Sequence, residues 1–250
     1  MCSDHTVHAG LAAPLSRRHF LGRGTTALAG AAALAALPEP LRAAATHSGD
    51  RHAALLAEPP ATPAEALAAL VDGNRRFVEG RTIAPHRDFA RLREIAPKQT
   101  PFAAFLGCAD SRVPVEIVFD QGFGDIFVSR IAGNIAVAEQ IASLEFGTAV
   151  LGAKVLYVLG HTACGAVAAT MAGTEVPGQI SALYYHIRPA TRIANGNLDK
   201  AIVENVRNQA MSLREGSTVI NRLVTEGKLL VVGGVYDLNS GRVTPVTLDG

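Results

Sequence analysis

The sequence predicts an α/β domain in which a mainly parallel central β-sheet is flanked by helices. Three observations predict it: short apolar runs, segments of helical character between most of them, and reactive side chains directly after two of the runs. Runs of this length are typical of strands buried on both faces, as in parallel sheets. They cover residues 101–106, 125–129, 155–159 and 229–232. A turn-rich segment, 236–241, then predicts a hairpin leading into a last strand over 243–247.

The helical segments show helix start signals or helical spacing of apolar residues. Thr62 stands before Pro63 and two residues further comes Glu65, so a capping residue, a proline at the first helical position and a first-turn carboxylate follow one another. A helix is therefore expected to begin here. The clearest helix between two strands is expected over residues 136–151.

Composition limits the class of protein. The chain has 250 residues, of which 48% are hydrophobic, which is enough to bury a sizeable core. The formal net charge of +1 comes with scattered Lys and Arg, so no basic face is expected to hold a nucleic acid. Three cysteines exclude a scaffold of several disulfide bonds.

The first residues resemble a twin-arginine export signal. Arg17 and Arg18 are followed by a weakly apolar run over 27–37 and by small residues at 43–45, the kind of site that a signal peptidase accepts. The apolar run is well short of the ~20 residues that a membrane-spanning helix needs, so no permanent membrane anchor is expected. The resemblance implies contact with the export machinery and a periplasmic or other extracytoplasmic location after cleavage.

This interpretation divides the chain into three parts. Residues 1–45 are predicted to be the twin-arginine-type signal peptide. Residues 46–61, which are polar, rich in Ala and end in two prolines, are predicted to be a flexible linker. Residues 62–250 are predicted to form one catalytic domain.

Two thiols and an imidazole form a candidate metal site. Cys108 follows one predicted strand, His161 follows another, and Cys164 lies three residues after His161. Functional groups of parallel sheets gather at the carboxyl ends of the strands. Thiolates with one imidazole favour zinc, and three protein ligands leave a fourth tetrahedral position open, as in catalytic sites. Two buried cysteines and a histidine that bind no metal are the alternative reading of these three residues alone.

A carboxylate and a guanidinium lie close after the first thiol. Asp110 and Arg112 are expected in the loop that leaves the strand, where both can face the metal. Arg112 could hold Asp110 through charge-assisted hydrogen bonds and leave one oxygen to accept a proton from a metal-bound water. The alternative is an ordinary surface ion pair, which contributes little.

Two motifs carry a specific resemblance. C-A-D-S-R-V at 108–113 and G-H-T-A-C-G-A at 160–166 resemble the paired zinc-binding motifs of β-class carbonic anhydrases. The segments 130–134 and 143–146 fall where that family has substrate-pocket and dimer-contact residues. The resemblance covers nearly all of the chain after the predicted leader, and it implies a β-carbonic anhydrase-like fold.

The resemblance also implies an activity and roles for the motif residues. One zinc ion per subunit would be bound by Cys108, His161 and Cys164, with Asp110 and Arg112 as the catalytic dyad. Zinc-bound hydroxide would then hydrate carbon dioxide reversibly to bicarbonate and a proton. The family further implies at least a homodimer, and often a tetramer.

A small substrate pocket is implied as well. Gln99, nine residues before Cys108, stands where the family has a glutamine that donates a hydrogen bond to the substrate. The other pocket residues that the resemblance implies are Phe127, Ala132, Phe146 and Gly165.

Two other functions remain open at this point. A hydrolase of carbonyl sulfide or carbon disulfide on the same scaffold would act on linear molecules of similar shape. A catalytically silent zinc-binding protein is the second alternative, and the presence of both Asp110 and Arg112 disfavours it, because a structural site needs no proton acceptor.

Overall fold

The computed structural model describes residues 58–248, so the predicted signal peptide and most of the predicted linker lie outside the described residues. The strands are β1 (Ala103–Gly107), β2 (Ile126–Arg130), β3 (Val155–His161), β4 (Leu230–Tyr236) and β5 (Val243–Val246). The helices are α1 (Pro63–Val78), α2 (Phe89–Ile95), α3 (Val115–Val118), α4 (Ala138–Glu145), α5 (Gly165–Ala172), α6 (Ala182–Ile193), α7 (Leu198–Gly216) and α8 (Thr218–Thr225). A π-helical turn (Phe146–Val150) continues α4, and a 3₁₀ turn (Gly178–Ser181) precedes α6.

The five strands form one sheet in the order β2-β1-β3-β4-β5. The pairs among β2, β1, β3 and β4 are parallel, and β5 alone is antiparallel, joined to β4 by the predicted hairpin. Every residue of β1 and β3 is buried. The predicted α/β architecture with a mainly parallel sheet is therefore confirmed, and continuous apolar runs identified its central strands because both of their faces are covered.

Helices cover both faces of the sheet. On one face, Leu70 of α1 packs with Phe105 and Tyr157 from the central strands. On the other face, Leu156 packs against Val206 and other residues of α7, with α8 and α4 beside them. This sandwich fixes the strands from both sides and leaves their carboxyl ends to receive the loops.

Helix α1 begins where the sequence predicts. The hydroxyl of Thr62 accepts a hydrogen bond from the Glu65 amide, and the Glu65 carboxylate accepts one from the Thr62 amide, with Pro63 at the first helical position. This is a complete capping box, which satisfies amides that have no partner inside the helix.

The predicted helix 136–151 begins at Ala138 and changes character at Phe146. The π-helical turn lies where Gly147 rests on the ring of Phe127. A β-carbon on Gly147 would lie 2.9 Å from Phe127 Cδ1, so the close approach requires glycine. The hydroxyl of Thr148 also donates to the Leu144 carbonyl. Hydrophobic spacing alone did not predict this change of helix type.

None of the helices among residues 58–248 combines the length and the apolar character that crossing a bilayer requires.

Candidate metal centre

The three predicted metal ligands meet at the carboxyl edge of the sheet. Cys108 directly follows β1, His161 is the last residue of β3, and Cys164 precedes α5. Because β1 and β3 are parallel neighbours with Gly107 beside Leu159, their ends lie side by side. The two sulfur atoms and a ring nitrogen lie within 4.8 Å of one another, and all three residues are buried. The fold thus collects a compact set of two thiols and one imidazole.

A tight turn brings the side chains of His161 and Cys164 close together. Ala163 adopts a left-handed conformation with φ +54°, which costs an alanine about 1–2 kcal/mol. Thr162 fixes the turn from both sides: its amide donates to the Tyr236 carbonyl at 2.9 Å, and its hydroxyl accepts from the Leu238 amide at 3.0 Å. The strand β4 and the hairpin therefore support the ligand turn.

The imidazole of His161 is prepared to bind a metal through Nε2. Its Nδ1 lies 2.9 Å from the Thr162 carbonyl, so Nδ1 carries the proton and donates it, which leaves a lone pair on Nε2. Nε2 is buried and has no hydrogen-bond partner within the described residues. Buried polar atoms without a partner are costly, and a bound cation would satisfy this one.

The two thiols affect each other's pKa in opposite directions. The neighbouring Cys164 thiol lowers the pKa of Cys108, with the amides of Asp110 and Gly133 acting in the same direction and burial opposing them. The pKa of Cys164 is raised, first by the contact with Cys108 and then by burial. Cys108 is therefore the thiol that loses its proton more readily, and a metal bound to both sulfur atoms would displace the proton of Cys164 as well.

This donor set fits zinc. Two thiolates and one imidazole are soft and borderline ligands of the kind that zinc prefers, and a three-residue set is typical of catalytic rather than structural zinc. The orphaned Nε2 of His161 supports the same conclusion from the hydrogen-bond pattern.

Asp110 and Arg112 form a closely matched pair beside the ligands. Arg112 Nε donates to Asp110 Oδ1 at 3.0 Å, Arg112 Nη2 donates to Oδ2 at 2.8 Å, and the Arg112 amide donates to Oδ1 at 2.9 Å. The guanidinium of Arg112 holds the pKa of Asp110 well below its usual range. Oδ2 lies 3.8 Å from Nε2 of His161, which is too far for a hydrogen bond but places the carboxylate beside the cluster of Cys108, His161 and Cys164.

Arg130, at the end of β2, supports the same loop. It donates from Nε to the Cys108 carbonyl at 2.8 Å and from Nη2 to the Asp110 carbonyl at 2.5 Å. Its position in the segment 130–134 predicted a place near the substrate pocket or dimer contact but not this hydrogen bonding. Only the parallel pairing of β1 with β2, which sets Arg130 beside Gly107, reveals it.

Two predicted pocket residues lie next to the ligands. Gly165 follows Cys164, and a β-carbon added to it would meet no atom within 4 Å, so there is free space at this position. Ala132 precedes Gly133, whose amide donates to the Cys108 sulfur at 3.3 Å.

The other three predicted pocket residues lie elsewhere in the same chain. Phe127 pairs with Ala104, four residues before Cys108, which corresponds to about 13 Å along the sheet. Phe146 lies near Phe127, with ring centroids 6.5 Å apart. Gln99 is exposed and precedes β1, whereas Cys108 follows it. Within one chain these residues are not brought to the metal ligands.

Comparisons with known proteins agree with the fold and the site. A sequence profile of the carbonic anhydrase family matches residues 103–243, more than half of the chain. Carbonic anhydrase 2 of Mycobacterium tuberculosis is 35% identical over 192 residues, which covers 74% of this chain and 93% of that protein.

Solved structures of β-carbonic anhydrases share the architecture. The Coccomyxa enzyme in complex with acetazolamide superposes with a TM-score of 0.58 at 26% identity, covering 72% of this chain and 86% of that one. A tetrameric enzyme of Sordaria macrospora gives a TM-score of 0.57 at 23% identity, covering 62% and 85%. With the profile match and the identity to the mycobacterial protein, these findings show that the chain belongs to the carbonic anhydrase family, in its β class.

Proposed function

We propose that the chain catalyses the reversible hydration of carbon dioxide to bicarbonate and a proton, with one zinc ion held by Cys108, His161 and Cys164. The observation that carries the proposal is the buried Nε2 of His161, which has no partner within the described residues and faces two thiols. Membership of the carbonic anhydrase family supports the substrate. A zinc ion bound there would supply Lewis acidity that helps a coordinated water lose a proton and so become a nucleophile toward carbon dioxide.

Asp110 acts as the proton acceptor in this proposal. Its lowered pKa keeps it ionised at neutral pH, so both oxygens can accept hydrogen bonds. Oδ2 lies 3.8 Å from Nε2 of His161, so a reacting water bound close to this nitrogen would lie within its reach. A carboxylate held in one orientation beside the nucleophile accelerates such a reaction by about 10²–10⁴-fold.

Two arginines hold that acceptor in place. Arg112 engages both carboxylate oxygens, so Asp110 cannot rotate freely. Arg130 fixes the backbone carbonyls of Cys108 and Asp110. The loop thereby keeps the ligand and the acceptor at a fixed separation, and the free space at Gly165 would admit a small apolar substrate.

A second copy of the chain would complete the site. Strand β2 lies at the edge of the sheet, and Phe146, whose ring lies near Phe127 of this strand, is 46% exposed. Val150, at the end of the same π-helical turn, is 67% exposed. Apolar side chains at an open strand edge are typical of a covered interface. The tetrameric Sordaria macrospora structure supports assembly of this fold. We propose a homodimer or tetramer in which Phe127, Phe146 and Gln99 reach a pocket formed with the partner copy.

Sedimentation velocity tests the assembly. A charge at the exposed edge, as in Val150→Glu, is expected to reduce the sedimenting mass and, with it, the activity. If the wild-type and Val150→Glu proteins both sedimented with the mass of a single chain, the proposed dimer would be refuted.

The leader is proposed to direct export. The paired arginines, the short apolar run and the small residues at 43–45 support a twin-arginine signal. Replacing Arg17 and Arg18 by Lys in the full chain is expected to retain the protein inside a bacterial host, whereas the unaltered chain appears processed in the periplasm. Equal export of both chains would contradict the proposal.

Stopped-flow hydration of carbon dioxide, with zinc content measured on the same samples, tests the catalytic proposal. Asp110→Asn is expected to lower kcat by about 10²–10⁴-fold at unchanged zinc content. The matched control is Asp72→Asn, which breaks an exposed Asp–Arg pair of 3.0 Å and is expected to leave the rate unchanged. Equal rates for the wild-type and Asp110→Asn proteins would remove the acceptor role. Faster turnover of carbonyl sulfide than of carbon dioxide would favour the alternative hydrolase.

A further inference from the structure

A chain of buried hydrogen bonds runs from the Cys108 sulfur into helix α7. The Gly133 amide donates to Cys108 Sγ at 3.3 Å, and the Gly133 carbonyl accepts from Asn205 Nδ2 at 2.8 Å. Asn205 Oδ1 accepts from Gln209 Nε2 at 3.0 Å, and Gln209 Oε1 accepts from the Ala136 amide at 2.8 Å. Two side-chain amides of α7 therefore hold both ends of the segment 133–136.

Both amide side chains lie deep in the protein. Asn205 is 1% exposed and Gln209 is 3% exposed, among the apolar residues that join α7 to the sheet. Burying a side-chain amide is costly, and the cost is offset here because each amide satisfies a backbone group of the segment 133–136 that would otherwise be buried without a partner. Core packing alone therefore does not account for two successive amides at this place. What they share is the segment that carries the hydrogen-bond donor to the metal ligand.

The backbone around Gly133 admits few other arrangements. Gly133 has φ +76°, and a β-carbon there would lie 2.6 Å from Ile187 Cδ1. Gly160 lets α7 approach β3, since a β-carbon on it would lie 2.6 Å from Val206 Cγ2. Close packing thus brings Asn205 within reach of the Gly133 carbonyl, while Gln209 also donates to the His186 carbonyl at 3.1 Å and ties α7 to α6.

We propose that Asn205 and Gln209 are positioning residues of the metal centre, which hold the segment 133–136 so that the Gly133 amide stays directed at the Cys108 sulfur. This inference rests on the proposed binding of zinc by Cys108, His161 and Cys164. The hydrogen bond fixes the orientation of the sulfur, so its loss is expected to weaken metal affinity. It also draws electron density from the sulfur, so its loss is expected to change the energy of the sulfur-to-metal charge-transfer band. Outer partners of metal ligands typically contribute about 10–100-fold to affinity.

The test compares buried amide side chains. Asn205→Leu removes the donor to Gly133. Gln121→Met is the matched control, because Gln121 is also buried and donates to a backbone carbonyl, that of Phe119 at 2.8 Å, in the connection between α3 and β2. Both variants are expected to lower the melting temperature. Zinc affinity is measured by competition with a chromogenic chelator, and the thiolate-to-cobalt charge-transfer band is recorded on the cobalt-substituted protein.

Asn205→Leu is expected to weaken zinc binding by about 10–100-fold and to shift the charge-transfer band, because the sulfur loses its hydrogen bond. Gln121→Met is expected to change neither. Gln209→Met, one helical turn away, is expected to act in the same direction with a smaller effect, and it provides the test if Asn205→Leu does not fold. Asn205→Asp keeps the shape and the acceptor for Gln209 but loses the donor, so it is expected to follow Asn205→Leu.

Wild-type zinc affinity and an unshifted band in folded Asn205→Leu or Gln209→Met would overturn the inference. That result leaves the proposed function intact as long as wild-type protein binds zinc and Cys108→Ser does not. A wild-type protein that binds no zinc would instead refute the proposed function, so the two failures are distinguishable.

Discussion

The two ends of the parallel strands carry similar side chains in different hydrogen-bonding environments. The strands begin at the amino edge of the sheet and finish at its carboxyl edge. At the amino edge, the fully buried Asp120 accepts hydrogen bonds from Arg76 Nε at 2.7 Å and from the amides of Ile83 and Ala84, and His86 Nδ1 lies 2.6 Å from Asp125 Oδ1. At the carboxyl edge, His161 Nε2 and Asn134 Nδ2 are the buried side-chain polar atoms without partners in the described part of the chain. Polar side chains stabilise the fold at the amino edge, where they have hydrogen-bond partners, and they indicate a ligand site at the carboxyl edge, where polar atoms are buried without partners.

The largest expected effect comes from removing a sulfur at the carboxyl edge. Cys108→Ser replaces a thiolate of lowered pKa by a hydroxyl that stays protonated, so zinc is expected to be lost and carbon dioxide hydration to fall by more than about 100-fold. Metal analysis and stopped-flow rates on the same sample measure this. Full zinc content in Cys108→Ser would mean that the ligand set is different.

The amino edge should respond in the opposite manner. Asp120→Asn removes the buried carboxylate that pairs with Arg76, so the free energy of unfolding is expected to fall by about 3 kcal/mol. Zinc affinity and kcat of the folded protein are expected to stay unchanged. Urea denaturation and chelator competition measure the two properties separately. If Asp120→Asn lost zinc together with stability, the division between a structural and a ligand-binding edge would be wrong.

Between the two edges, Tyr157 provides a pH-dependent reference. Burial raises its pKa above the ordinary value of 10.0, so above pH 10 the unfolded chain ionises while the folded one stays neutral. The neutral phenol therefore contributes fully to the free energy of unfolding below pH 10. Above pH 10 this contribution is lost as the pH rises, by about 1.4 kcal/mol per pH unit for one group.

Urea denaturation between pH 9 and pH 12 tests this sign. Tyr157→Phe is expected to flatten the alkaline decline in stability, whereas Tyr185→Phe, at a side chain that is 79% exposed, is expected to leave it as it is. An equally steep decline in Tyr157→Phe and in wild type would place the titrating group elsewhere.

The sequence predicted those parts of the fold and site that depend on local patterns. Apolar runs identified the buried strands, and the order Thr62, Pro63, Glu65 identified a capping box. The spacing of His161 and Cys164 predicted that one turn brings both side chains together, and the structure places them within 4.8 Å of each other. Each of these signals lies within a few neighbouring residues, so chain geometry alone decides its outcome.

What the sequence did not predict depends on register and on distant packing. Arg130 reaches the Cys108 loop because β2 pairs with β1, and Phe127 lies away from the ligands for the same reason. Asn205 meets Gly133 only because α7 packs closely over Gly160. Periodicity shows that a residue is in a strand or helix, but it does not show which residue of another element lies beside it.

The smallest expected effects come from two strained alanines, one at each edge. Ala163 and Ala84 have φ values of +54° and +50°, a conformation that costs alanine about 1–2 kcal/mol. Glycine relieves this strain but makes the unfolded chain more flexible by about 0.5–1 kcal/mol, so each substitution is expected to stabilise the fold by up to about 1 kcal/mol. Urea denaturation of Ala163→Gly and Ala84→Gly should show similar gains.

Zinc binding should separate these two substitutions. Ala163 lies in the turn that joins two ligands, and a more flexible turn lets His161 and Cys164 move apart before an ion binds. Ala163→Gly is therefore expected to weaken zinc affinity by a few-fold (~0.5–1 kcal/mol of added ordering cost), while Ala84→Gly leaves it unchanged. Equal zinc affinity in both variants would show that Thr162, held by β4 and the hairpin, fixes the turn without help from the strained alanine. In that case the rigidity of the carboxyl edge would come from its hydrogen bonds alone.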